Sequence, residues 1–425
     1  MGDICRSGQK RRPGRSGKKT MKNCLLPLLL SLFALSCRAV EPSPSAMNTP
    51  ETSKLFRKHV EPASGVVSYI LETRVAANQQ SLYFTQKSMT EDGRFIVFDV
   101  SGGERGNQKS FAVADLLKDE VRPLEIRGSI PFLDTESALL YWFEPGGFYK
   151  LNLRSAAPAK EKLCEIPPQL KAEGACVLSY ATHVTLTPDR AKVFMDARVD
   201  DRFIQGLLDI KTGQFEKWGE ESVCVNHGQI NPVNGRLALC AHETRWAGTN
   251  KVEHSIQNVD GVYPRLLLVE PDGKRRMVPP MNNYATHEYW AADGLGFYYC
   301  SSGKEYGVIT CDLATGQQRR AAPVHAAHAT MTRDRRYFTY DFSVGPWYRG
   351  CSWRVGFYNA EMKKEVSLYA ERPAFNTQDK PSKLHPDPHP QFVCGDKYII
   401  CTINRGDGRM DLSLTPVAPL VEMTR

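Results

Sequence analysis

Five times along this chain a histidine opens a short apolar, strand-like run, and a turn residue, usually Asp, follows six or seven positions later. The frames are His183 to Asp189, His227 to Asn234, His287 to Asp293, His328 to Asp334 and His389 to Asp396. A unit that recurs at about 40 residues cannot bury a core alone, so such a chain stacks its units into one array. With 41% hydrophobic content, its 425 residues can fill a large shared core.

The clearest frame is NHGQINPVNGRLALCAHE, residues 226–243, two short strands around an Asn-Gly turn. Both ends of an antiparallel hairpin leave at one rim, so His227 and His242 are expected to face one site.

Helical periodicity is scarce beyond the first 62 residues, where apolar strands, Asp-Gly or Asn-Gly turns and polar connections alternate. Seven units follow. Blade one spans Thr90 to Leu116, blade two Ser137 to Leu153, and blade three starts at His183. Blade four is the hairpin at 226–243 with the Arg265 strand, and blades five, six and seven start at His287, His328 and His389. The fold class is therefore all-β, a seven-bladed β-propeller. Gly65 to Arg74 is left over before blade one and is expected to complete the last sheet, closing the ring without exposed edges.

In a propeller the first strand of each blade lines the central channel, so histidines at that strand's start converge on one axis. One such histidine is ordinarily a hydrogen-bonded core residue; its recurrence points to a shared site. In the segment HPDPHP the prolines stiffen the chain and set His385, Asp387 and His389 at alternate positions, facing one side. Imidazoles with a carboxylate suit a divalent metal such as manganese, iron or zinc.

Residues 1–20 carry seven Lys/Arg against one Asp and so account for +6 of the formal +8. The remainder is nearly neutral, and no basic surface argues for nucleic acid. Residues 1–20 read as an extension upstream of a start at Met21, 21–39 as an export signal and 40–62 as a flexible Pro/Ser-rich spacer, with the propeller domain at 63–425. Cys37 after Ala34-Leu35-Ser36 resembles a lipoprotein processing site, with plain cleavage near Ala39 as the alternative. The expected location is the periplasm or, through a lipid on Cys37, the outer membrane. Cys164 and Cys176 flank a loop and are the candidates for a disulfide; Cys240, Cys300 and Cys401 fall inside strand patterns as small buried hydrophobes.

The stretches from His227 to Glu243, from Arg265 to Gly273, ATHEYWAADG at 285–294 and DPHPQF at 387–392 resemble the oligogalacturonate lyases, polysaccharide lyase family 22. That resemblance covers His183 onward. It implies a manganese-binding propeller that cleaves uronic-acid oligosaccharides by β-elimination, a carbon-oxygen lyase. It departs from the family at Asp387, where a histidine is expected, at Leu384 and His385, where a glutamine is missing, and at Thr244-Arg245, which replace a Gly-Pro. Those departures leave open another uronate polymer, such as ulvan or glucuronan.

The resemblance also implies the site. His242 is the general base. The metal, most readily Mn2+ with Zn2+, Fe2+ or Ca2+ as alternatives, falls to His287, His385, Asp387 and His389, with His328 as a substitute. Arg265 and Arg245 are placed to bind uronate carboxylates through planar guanidinium forks. His227, Gln229 and His183 line the sugar site. The rival reading is a non-catalytic propeller whose rim binds a glycan or a protein.

Overall fold

The computed structural model describes residues 47–102, 110–170, 177–243, 265–281, 285–302, 305–343, 352–372, 387–405 and 409–425. These form seven antiparallel sheets in a ring. Blades one to six take residues 78–124, 132–164, 177–221, 225–278, 286–322 and 328–372 in order. Blade seven joins the two ends of the described chain: Gln391–Val393, Tyr398–Asn404 and Met410–Pro416 are followed outward by Val67–Leu71 and then Phe56–Val60.

The expected closing strand is borne out, with Tyr69 opposite Leu414 and Ile70 opposite Ser413. One assignment is corrected. Phe56–Val60, placed in the flexible spacer, pairs along its whole length with Val67–Leu71 as a fifth, outermost strand. Its sequence hides it: three polar residues, Arg57, Lys58 and His59, run between Phe56 and Val60 without the apolar alternation that marks a strand, and none of the five is fully buried. The signal segment, the basic extension and Cys37 lie outside the described residues.

Period-two geometry sends alternate side chains of each blade's second strand to opposite neighbours. From Phe95–Ser101, the side chains of Phe95 and Val97 pack with Leu140 and Trp142 of blade two. Those of Ile96, Phe98 and Val100 pack with Leu412 and Leu414 of blade seven. Comparable apolar clusters fill each remaining seam, so the core is shared between blades. Cys240, Cys300 and Cys401 are buried in these seams as free thiols. Cys164 is also a free thiol, and Cys176 lies outside the described residues.

The aspartate of the repeated frame closes the turn between first and second strands. Asp92, at the matching turn of blade one, and the frame aspartates Asp189 and Asp334 each accept the hydroxyl of a threonine two residues earlier, at 2.7, 2.6 and 2.6 Å. Each also accepts the backbone N–H two residues later, at 3.0, 3.1 and 3.0 Å. This fixes the turn end of the first strand, and in the histidine frames the strand then runs back from that turn to the histidine at the channel.

Candidate metal centre and histidine ring

The five frame histidines come from blades three to seven and pack in two groups, His287–His328–His389 and His183–His227, with Tyr83 against a member of each. The His287 and His328 centroids are 4.0 Å apart, those of His328 and His389 4.5 Å, and those of His183 and His227 5.2 Å. His227, His287 and His389 all adopt left-handed backbone, with φ of 54, 53 and 47°. At His227 and His287 the pairing register slips, between Asn226 and Gln229 and between Thr286 and Tyr289. Bulges re-aim side chains, and strain of this kind gathers at functional sites.

Two buried aspartates hold these conformations, and neither was singled out in the sequence. Asp341 lies opposite His328 in blade six. It accepts the His328 N–H at 2.9 Å and, across the seam, the His389 N–H at 3.0 Å. Asp196 repeats the device in blade three, accepting Thr182 N–H at 2.6 Å and, across the seam, Gly228 N–H, next to His227, at 3.0 Å. Burial pushes the Asp196 carboxyl up to about 6, against the pull of these two bonds.

His328, Asp387 and His389 bring three ligand atoms within 4.8 Å of one another, all buried. Asp387 Oδ2 lies 4.0 Å from His328 Nε2 and 3.7 Å from His389 Nε2. Asp341 Oδ1 lies 3.0 Å from His328 Nδ1, so the carboxylate fixes the ring with Nε2 turned toward Asp387. A carboxylate behind a ligand histidine is the usual support of a metal site. Burial lowers the His328 pKa, but the charge and hydrogen bond of Asp341 together with the charge of Asp387 outweigh it, and the net shift is upward. Two imidazole nitrogens and one carboxylate make a donor set suited to a mid-row divalent ion. His328, expected only as a substitute ligand, thus stands in the group, whereas His287 stands beside it. His385 lies outside the described residues. His287 is buried, its Nδ1 is 3.1 Å from the Thr286 hydroxyl, and burial together with the neighbouring His328 and Arg265 keeps its pKa well below the ordinary value.

A charge network adjoins the ring. Arg265 Nε donates to Glu288 Oε2 at 3.0 Å, its Nη1 bonds Glu243, and His227 Nδ1 lies 3.2 Å from Glu288 Oε1. Burial alone would raise the Glu288 pKa; the Arg265 charge and the His227 bond overcome it and hold the carboxylate well below its usual range. Arg265 is therefore held between two carboxylates. Gln229, expected at the sugar site, is buried, and its Nε2 donates to the Glu288 carbonyl at 2.9 Å across the seam of blades four and five. His242 ends its blade's second strand opposite Val225, half-buried and one strand removed from the channel-lining His227. His183 is buried, stacked on Tyr83 at 5.0 Å, and desolvation with the adjacent His227 lowers its pKa to about 3. Arg245 lies outside the described residues.

Tyr83 and Phe84 were also missed. They follow the first strand of blade one, Asn78–Ser81, whose Asn-Gln-Gln-Ser sequence carries no apolar signal. Tyr83 presents its edge to His389 at 4.7 Å, and Phe84 packs on His328 at 5.2 Å. Blade one thus supplies aromatic rings where blades three to seven supply imidazoles.

Neither a known protein family nor any curated protein matches this sequence. Among solved structures, the fold is similar to an oligogalacturonate lyase in complex with manganese, at TM-score 0.66 and 18% identity over 85% of this chain and 96% of the other. It is likewise similar to an oligogalacturonate lyase from Vibrio parahaemolyticus, at TM-score 0.65 and 17% identity over the same shares, 85% and 96%. A puromycin hydrolase mutant matches at TM-score 0.53 and 10% identity, over 82% of this chain and 55% of that one. At such identities the likeness establishes the propeller fold.

Proposed function

We propose that this protein is a lyase that cleaves uronic-acid oligosaccharides by metal-assisted β-elimination, leaving a 4,5-unsaturated uronate end. The observation that carries this reading is the buried His328–Asp387–His389 group, backed by Asp341 and flanked by a neutral imidazole, in a propeller shaped like the oligogalacturonate lyases. Elimination removes the C5 proton of a uronate, a weak acid whose developing enediolate needs positive charge beside it. His328, Asp387 and His389 would hold a divalent ion, most readily Mn2+, which would supply that charge as a Lewis acid.

The chain's own groups do the rest. We assign proton removal to His287 rather than His242, because His287 is on a channel-lining strand against His328, whereas His242 is one strand further out. The His287 ring is oriented by a hydrogen bond with the Ala327 backbone and by the Thr286 hydroxyl, 3.1 Å from its Nδ1, and burial keeps it in the neutral form that a base requires. His227 and the Arg265–Glu288 network form the adjoining wall. The protein is exported, either to the periplasm by plain cleavage near Ala39 or to the outer membrane through a lipid on Cys37.

His287→Ala is expected to retain bound metal and to lose about 10²–10⁴-fold in rate. His242→Ala is expected to keep most of its activity. The assay follows near-ultraviolet absorbance of the unsaturated product on a panel of uronate oligomers, beside metal analysis. An inactive His242→Ala with an active His287→Ala returns the base to His242, and an inert wild type with no bound metal favours a glycan- or protein-binding propeller. Manganese should also stabilise the fold, by about 2.7 kcal/mol at a hundred times its Kd. Thermal melts with manganese and with chelator read this directly, and identical melts would count against the site.

A further inference from the structure

A cavity of about 390 Å³ opens at the turn ends of the first strands. In blades four to seven its lining includes Pro232, Ala292, Arg333 and Asp396, while His227, His287, His328 and His389 lie toward the opposite ends of those strands. It is therefore the channel mouth opposite the histidines. Tyr289, Trp290, Tyr298 and Phe392 give it aromatic walls, and Met89 and Met331 add thioethers. The Trp290 indole is satisfied by the Gln229 carbonyl at 2.9 Å. Tyr289 is half-buried, and its hydroxyl makes no hydrogen bond among the described residues.

Lys87 brings a charge into these walls. Its Nζ donates to the Phe392 carbonyl at 2.8 Å. An ammonium has three protons to give, and among the described residues Lys87 pairs with no carboxylate. Two acidic groups around the cavity are engaged elsewhere: Glu91 takes the Arg333 guanidinium and the Thr135 hydroxyl, and Asp396 accepts the Arg333 N–H at 2.9 Å. Glu136, the third, is exposed. Burial and then the Arg333 charge lower the Lys87 pKa, and the pull of Asp396 and Glu91 does not offset them. A buried ammonium without a close counter-charge is costly, and a bound anion relieves that cost.

We infer that this mouth is a second ligand site, which binds a small planar carboxylate with its acid group on Lys87 and its ring against the aromatic walls. A cavity of this size, mostly apolar with one or two placed polar groups, is the usual form of a small-molecule site. A saturated sugar ring would bring hydroxyls that such walls leave unpaired, whereas a flat ring meets aromatic and sulfur faces. The Tyr289 hydroxyl is left for a polar substituent of the ligand. The site does not depend on the lyase reading.

The probe is 4-hydroxybenzoate, titrated calorimetrically into the full-length, manganese-loaded protein. It should bind saturably at one site, and 4-hydroxybenzamide, of the same shape without the charge, should bind about tenfold more weakly. Acetate, which keeps the charge and lacks the ring, should also lose about tenfold. Lys87→Met should cost the carboxylate about tenfold and Tyr289→Phe about threefold. Absence of saturable binding, equal affinity for the carboxylate and the amide, or an unchanged affinity in Lys87→Met overturns the site. So does binding that vanishes with chelator, which would put the probe on the metal group. Should Lys87→Met fail to melt cooperatively, the carboxylate-to-amide ratio in wild type and the Tyr289→Phe titration decide the question.

Discussion

Asp341→Ala is expected to cost both stability and metal affinity. Its two oxygens accept the backbone N–H groups of His328 and His389 and face the His328 ring, in a place with no solvent access. Each buried N–H left without an acceptor costs about 1–3 kcal/mol, so the two together cost roughly 2–6 kcal/mol. Removing the carboxylate behind a ligand histidine also weakens metal binding about 10–100-fold. A urea midpoint and a manganese titration on the same variant separate the two effects. Wild-type affinity in a folded Asp341→Ala protein would show that His328 is not a ligand.

Arg265→Ala has a comparable expected effect through a different cause. It strands Glu288, whose side chain is 0% exposed, and breaking a buried pair from one side costs about 3–5 kcal/mol. The loss should depend on pH. In wild type the Glu288 pKa is depressed, so its contribution is complete above the unfolded carboxylate pKa of about 4.3 and is lost as pH falls toward the lower folded value. Without Arg265, burial dominates and raises that pKa, so Arg265→Ala should lose stability as pH rises through the carboxylate range. Urea midpoints from about pH 4 to pH 7 test the reversal. Parallel profiles for wild type and variant would mean that another cation neutralises Glu288.

The ring and most of the site were legible because both rest on spacing. The His-to-Asp frame fixes where a first strand starts and where its turn closes, and the leftover Gly65 to Arg74 segment found its place as the closing strand. Burial in a seam erases other signals. Asp341 stands in Tyr-Phe-Thr-Tyr-Asp-Phe as one polar residue of an alternating strand, and only its register with His328 shows its partner. Tyr83 and Phe84 read as ordinary apolar residues because the strand they follow, Asn78–Ser81, is polar. The exchange of prominence between His287 and His328 was likewise invisible, since both open their blades and only distances to Asp387 and His389 tell them apart.

The left-handed backbone at His227, His287 and His389 also bears on how such a site can change. Apart from glycine, that conformation is entered most readily by Asn, Asp and His, and bulky or β-branched residues are shut out. The residues this scaffold admits at those three points are largely ones that can ligate a cation or carry a proton. Mutational drift there exchanges one potentially coordinating group for another while the wheel beneath stays as it is.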